Sequence, residues 1–184
     1  QLEWRFLRQD NGQPFDCEIR VSLFRWRDQD LLFGVLHDIT ESAAMASRLA
    51  HLAHYDALTD LPNRVLLRER AYQALALAQR GGHQVALLYF DLDGFKQIND
   101  TLGHAAGDAV LVHVSRILKD TAGPDDFIAR IGGDEFIVLN RMPQTDPLEV
   151  AAQANRFIEQ IRQPIPYGNH LCRTGASVGI AMEL

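Results

Sequence analysis

The sequence predicts a mixed α/β (α+β) chain: a central sheet flanked by helices, preceded by a smaller antiparallel sheet and a helical connector. Three observations carry this reading. From residue 64 onward, helical stretches alternate with short apolar stretches, a pattern that packs as helices on a sheet. Val85–Asp91 (VALLYFD) is a continuous apolar run of the kind buried on both faces. Before residue 40 the chain instead reads as strands set off by turn signals, and Phe15–Arg25 alternates with period two. The composition agrees, for 47% of the 184 residues are apolar and 23% charged, which excludes disordered and collagen-like classes. A net charge of -6 argues against a nucleic-acid partner. No run reaches the roughly 18 apolar residues a membrane span needs. The two cysteines, Cys17 and Cys172, show no pairing pattern, so a reducing, cytoplasmic setting is expected. The opening Gln-Leu-Glu-Trp-Arg is no signal peptide and lacks an initiator Met, as in a piece of a longer protein.

The elements follow in order. Glu3–Arg8 leads into Asp10-Asn11-Gly12-Gln13, a hairpin signal. In Phe15–Arg25, Phe15, Cys17, Ile19, Val21 and Leu23 share one face, with Asp16, Glu18, Arg20 and Ser22 on the other. Arg27–Asp30 breaks the chain before a third strand, Leu31–Ile39. Three strands bury little core, so this segment reads as the tail of a sensor domain. From Glu41 to His54 no Gly or Pro intervenes, and Met45, Leu49 and Leu52 lie on one helical stripe. Thr40, Glu41 and Ser42 form its capping region. Asp60-Leu61-Pro62-Asn63 ends that helix, Asn63 caps the next at Arg64–Arg80, and Gly81-Gly82 stops it. After Val85–Asp91 come helices from Phe95 and over Gly107–Lys119, then strands Phe127–Ile131 and Glu135–Leu139 around a Gly132-Gly133 turn. An amphipathic helix at Leu148–Arg162 and a strand at Arg173–Met182 complete the pattern.

Chemistry concentrates at the carboxyl end of the apolar run, where open sheets tend to place ligands. Asp91 and Asp93 lie there, while Asp134 and Glu135 follow two glycines that let backbone approach a ligand. If the two strands are neighbours, Asp91 and Asp134 converge. Like charges that close need a cation, and hard oxygen ligands suit magnesium. From spacing alone, each reads as readily as an ordinary loop carboxylate. Lys96 and Lys119 are the only lysines, and Lys96 sits one turn after Asp91-Leu92-Asp93-Gly94. A cation at such a helix start suits a phosphate-bearing ligand, though a solvated helix residue fits as well. Asn99, His104 and Asp108 could present hydrogen-bonding groups to a base edge; singly, each reads as a cap or turn residue. His51 and His54 lack a third ligand and read as polar helix residues. No P-loop, dinucleotide-type glycine loop or cysteine cluster occurs.

Four motifs in order carry a specific resemblance: Asp56-Ala-Leu-Thr-Asp-Leu-Pro-Asn-Arg64, Asp91-Leu-Asp-Gly-Phe-Lys-Gln-Ile-Asn-Asp100, Gly103-His104 with Gly107-Asp108, and Arg130-Ile-Gly-Gly-Asp-Glu-Phe136. Together they resemble the GGDEF domain of diguanylate cyclases from about Tyr55 to the end. Residues 1–40, ending Leu36-His-Asp-Ile-Thr40, resemble the last strands of a PAS sensor domain. The implied organisation is a partial PAS domain over 1–40, a helical linker over 41–55 and a C-terminally truncated GGDEF domain over 56–184. The resemblance implies a nucleotide-cyclase-like sheet and the condensation of two GTP into cyclic di-GMP and two pyrophosphates by an antiparallel homodimer. It further implies that Asp91, the Leu92 carbonyl and Asp134 hold Mg2+, with Mn2+ as a substitute and Glu135 alongside. Asp134 and Glu135 are the implied catalytic residues. Asn99 and Asp108 would read guanine with His104 nearby, and Lys96 with the Gly94 and Phe95 backbone would meet the phosphates.

Two departures stand out. The family's product-inhibition site pairs an Arg with an Asp six positions before the first motif glycine. Here Gly123-Pro124-Asp125-Asp126 keeps the Asp and has Gly123 in place of the Arg, implying weak or absent feedback. The chain also ends at Leu184, before the family's last helix and its basic pair, implying weaker GTP binding. The alternative to a sensor-controlled cyclase is a GTP-binding regulatory module with little turnover, governing a C-terminal EAL phosphodiesterase domain.

Overall fold

The computed structural model describes residues 2–27, 29–81, 84–142 and 146–183; Asp28 of the predicted second turn and Gly82 of the predicted helix stop lie outside them. The chain divides into two compact units, Gln1–Ala53 and His54–Leu184.

In the first unit, β1 (Leu2–Leu7), β2 (Pro14–Trp26) and β3 (Gln29–Asp38) form an antiparallel sheet in that order. The register sets Phe6 opposite Phe15 and Cys17 opposite Asp38. Cys17 is buried, whereas Leu23, Leu32 and Leu36 stay exposed, as expected of so small a sheet. Helix α1 (Thr40–His54) follows. Its start is held by Asp38 rather than by a hydroxyl of the predicted capping region: the Asp38 carboxylate accepts the Thr40 N–H at 3.0 Å and the Thr40 hydroxyl at 2.7 Å.

The second unit opens with a tight turn in which Asp56 N–H donates to the Leu61 carbonyl and Asn63 N–H to that of His54. Asn63 caps α2 (Arg64–Gly81) by accepting the Val65 N–H at 2.9 Å, as its position predicts. Then come β4 (Gln84–Asp93), α3 (Phe95–Leu102), α4 (His104–Thr121), β5 (Phe127–Gly132), β6 (Glu135–Met142), α5 (Pro147–Ile161), a small hairpin of β7 (Ile165–Tyr167) and β8 (His170–Cys172), and β9 (Gly175–Glu183). The main sheet runs β5-β6-β4-β9, and each neighbouring pair is antiparallel. Among the described residues, no helix is long and apolar enough to cross a membrane.

Alternation along β4 explains why its whole run is apolar. Ala86, Leu88, Phe90 and Leu92 face the larger core, where Val110, Val114 and Leu118 of α4 meet Phe157 and Ile161 of α5. Phe90 and Phe157 pack edge to face, with ring centroids 5.5 Å apart. Val85 faces the other way, into a cluster with Leu67, Ala74 and Ala78 of α2 and with Ile137 and Leu139 of β6. The α2-facing side changes character toward the end of the strand: Leu87 and Tyr89 are half-buried, and Asp91 and Asp93 are exposed.

Three details differ from the sequence reading. Helix α4 starts at His104 rather than near Gly107, because Gly107 is an interior helix residue under a close side-chain contact. The hairpin tip is Gly133-Asp134, since Gly132 already pairs with Glu135 across a bulge. The β7–β8 hairpin, turning at Gly168-Asn169, was not anticipated.

A buried polar chain joins three elements. The Asn140 side-chain amide of β6 donates to Gln153 Oε1 at 2.8 Å, and Gln153 Nε2 of α5 donates to Asp126 at 2.7 Å. Asp126 also accepts the Gly123 N–H at 2.8 Å, closing the loop before β5. Gln153→Leu removes the partner of the Asn140 amide and one of the two donors to Asp126, at about 1–3 kcal/mol for the unpaired group. Urea denaturation is expected to show the variant less stable by that order; equal midpoints would contradict the network's role.

Candidate functional site

The sheet register builds the site. Across three strands Glu135, Asp91 and Ser177 stand side by side, because Asp91 pairs with Glu135 of β6 and with Ser177 of β9. Directly opposite residues project from the same face, so two carboxylates and a hydroxyl share the patch just past the apolar cluster. Asp134 joins them from the hairpin tip, where Gly133 takes φ +50°. The tip is tied to the end of β4 by the Leu92 N–H, which donates to the Asp134 carbonyl at 3.3 Å. Partial desolvation, together with the charges of Asp134, Glu135 and Asp93, pushes the Asp91 carboxyl above its ordinary value. The predicted convergence of Asp91 and Asp134 is therefore present.

Hydroxyl groups hold this cluster. The Tyr89 phenol donates to Glu135 Oε1, and that bond, then desolvation and then the charges of Glu135, Asp91 and Asp134, push its pKa up to about 12. Ser177 Oγ donates to Asp93 Oδ1 at 2.7 Å, and Thr174 Oγ1 donates to the Asp93 carbonyl at 2.9 Å. Gly175 leaves room for this contact, since a Cβ there would stand 2.9 Å from Asp93 Oδ2. These bonds fix the turn into α3, where Gly94 has φ +75°. Phe95 and the exposed Lys96 open that helix.

Asn99, His104 and Asp108 lie on the α3–α4 corner, turned by Gly103 at φ +84°. The side chain of Asn99 lies against the α4 backbone: a Cβ on Gly107 would come within 2.0 Å of Asn99 Oδ1. This packing brings Asn99 beside the residue that precedes Asp108. Asp108 is exposed and lines an open groove of about 380 Å3 with Leu58, His113, Arg116 and Ile165. His104 is exposed on the first turn of α4.

Among the described residues, no three of His, Cys, Asp and Glu form a ready metal cage. The donors present are hard oxygens at one sheet end. That set fits magnesium, which binds through one or two carboxylates plus phosphate oxygens rather than a dedicated cage.

Sequence reasoning left out Tyr89, Thr174, Ser177 and the function of Gly107. Tyr89 was detectable as the one hydroxyl in the apolar run, two residues before Asp91 and so on its face. Thr174 and Ser177 gave no signal, because they act through strand pairing with residues far along the chain.

Comparison with known proteins follows from this geometry. Residues 53–183 match the model of a family described as diguanylate cyclase, GGDEF domain. The chain is 41% identical over 145 residues to the bifunctional diguanylate cyclase/cyclic di-GMP phosphodiesterase MucR of Pseudomonas aeruginosa, a match covering 78% of this chain and 21% of that protein. It is 41% identical over 135 residues to the diguanylate cyclase TpbB of the same species, covering 73% of this chain and 31% of that one. A solved sensory box/GGDEF family protein from Caulobacter crescentus superposes with a TM-score of 0.68 at 38% identity, over 70% of this chain and 83% of that one. The chain thus spans less than a third of either curated relative.

Asp56 supplies a pH test. Burial alone would raise its carboxyl, but the Thr59 hydroxyl, Arg130 and the Thr59 N–H together hold it below the ordinary 3.8. A lowered folded pKa contributes stability above the unfolded value and loses it as pH falls through the folded one. Asp56→Asn is therefore expected to be less stable near neutrality, with the gap closing below pH 3.8. Urea midpoints across pH check this, and a gap constant into acid would contradict it.

Proposed function

The chain belongs to the GGDEF-domain family of diguanylate cyclases, and from that premise we propose that it condenses two GTP into cyclic di-GMP and two pyrophosphates. The observation that carries the reading is the meeting of Asp91, Asp134 and Glu135 at one sheet end, with the Asp91 carboxyl raised by its neighbours. Such a cluster fits a divalent cation and its phosphate ligand.

Asp91, the Leu92 carbonyl and Asp134 would hold Mg2+, or Mn2+ in its place, with Glu135 alongside. When bound, that ion neutralises phosphate charge and makes the attacking hydroxyl more acidic. The protein's own groups do the rest. The Gly94 and Phe95 backbone and Lys96 orient the triphosphate at the start of α3. Asn99 and Asp108 take the guanine edge, the Asp108 carboxylate accepting from N1–H and N2–H, which adenine lacks. Asp134 assists removal of the 3′-hydroxyl proton. The 3′-oxygen then bonds to the α-phosphorus of the other GTP as the bond to pyrophosphate breaks, an in-line transfer that depends on positioning. Each of two copies in a homodimer brings one GTP from the cytoplasm, under control of the N-terminal PAS-like segment. The inward commitment of Asp126 to Gly123 and Gln153, with no arginine at position 123, supports weak feedback by product.

A second reading, a GTP-binding module with little turnover that governs an EAL phosphodiesterase domain, is favoured by 39% identity over 146 residues to a protein of Escherichia coli named cyclic di-GMP phosphodiesterase PdeR.

Incubation with GTP and Mg2+, followed by chromatography, is expected to yield cyclic di-GMP, and Asp134→Asn is expected to abolish it without unfolding the chain. GTP bound without product would favour the second reading, and near-normal product from the variant would refute the role of Asp134. Gly107→Ala is expected to push Asn99 from its place and narrow the preference for GTP over ATP by about tenfold, about the value of one hydrogen bond. Calorimetric titration with both nucleotides checks this; unchanged selectivity would count against Asn99 as a base reader.

A further inference from the structure

Tyr89 is half-buried and packs against the apolar cluster beneath α2, which Leu67, Ala74, Val85 and Ile137 help to form. Its ring is thereby anchored on the apolar side of a boundary, while its hydroxyl reaches the polar side. Tyr89 and Asp91 are two residues apart on β4 and share a face, and Glu135 stands opposite Asp91. From that place the phenol reaches across the strands to Glu135 Oε1.

We propose that Tyr89 is a positioning residue that fixes the Glu135 carboxylate beside Asp91 and Asp134, presenting Oε2 to the divalent cation. This rests on the reading of the site given above. The physical need is plain. Asp91, Asp93, Asp134 and Glu135 repel one another, and an unrestrained glutamate would swing away from its neighbours into water. A lysine or arginine could hold it, but would also neutralise it and compete with the metal. A phenol donates one hydrogen bond and carries no charge, so Glu135 keeps its full charge for the ion. Because the bond uses only Oε1, the second oxygen stays available. Groups that orient a metal-binding carboxylate in this way typically alter affinity or activity by about 10–100-fold when removed.

Tyr89→Phe keeps the ring in its cluster and deletes only the hydroxyl. Three readouts are needed: Mn2+ affinity by electron paramagnetic resonance without turnover, kcat and KM for GTP, and the thermal midpoint. The expected result is Mn2+ binding weakened by about tenfold and kcat lowered, with KM and the midpoint near wild type. Glu135→Gln should weaken Mn2+ binding on its own, and adding Tyr89→Phe to it should change nothing more. Normal Mn2+ affinity in Tyr89→Phe, with a loss in Glu135→Gln, would overturn the proposal alone. Additive losses in the double variant, or a fall in midpoint with kcat and KM impaired alike, would also overturn it by showing that Tyr89 acts elsewhere or only packs. Normal affinity in both single variants would instead overturn the assignment of Glu135 to the metal end.

Discussion

Arg130 directs its guanidinium at two segments far apart in the chain. Nη1 donates to Asp56 at 2.8 Å, while Nε and Nη2 both donate to the Gly133 carbonyl, at 3.1 and 2.7 Å. Its backbone N–H donates to the Pro62 carbonyl as well, at 2.9 Å. The side chain is only 10% exposed, so these bonds are little screened by solvent. The tip it holds carries no side chain at Gly132 or Gly133 that could anchor itself. Arg130 therefore sets where Asp134 and Glu135 stand, and with them the whole polar end of the sheet. The planar fork is what makes this possible, since a lysine offers a single point of charge and could not serve both partners in one geometry. The entry turn gains from the same contact, because Asp56 also accepts the Thr59 N–H and hydroxyl.

Much of the fold was legible because its signals are local. The period-two pattern located β2, the polar break before Leu31 located β3, the apolar run located β4, and Asn63 marked the start of α2. The carboxylates of the site were legible too, since strand ends and glycine turns mark themselves. What stayed hidden depends on partners remote in sequence. Gly107 read as a helix start because a glycine inside a helix is costly, and only the Asn99 side chain pressed against it explains its presence. The β7–β8 strands are three residues each, too short for a period to show, although Gly168-Asn169 was a usable turn signal. Thr174 and Ser177 acquire meaning only once β9 lies beside β4.

The site also shows how a protein can gather negative charge without cancelling it. Among the contacts described at this end, Tyr89, Ser177 and Thr174 restrain the acidic residues as neutral donors, while Arg130 binds one layer away, at the Gly133 carbonyl and at Asp56. Helix α2 shields the adjoining apolar surface but leaves Asp91 and Asp93 exposed. Burial thus supports the patch from behind without closing it, which suits a large, highly charged ligand that must enter and leave.

The central place of β4 has a consequence for the order in which the chain folds. Both of its partners, β6 and β9, lie dozens of residues downstream, so neither ladder can form by local zippering. Pairings of that kind close late, after the helices have gained their short-range contacts. Until then Asp91 lies far along the chain from the neighbouring pair Asp134 and Glu135 and scarcely feels them. Their mutual repulsion is thus deferred to the closure of the sheet, the same step that brings Phe90 of β4 onto Phe136 of β6 and so supplies the packing that opposes it.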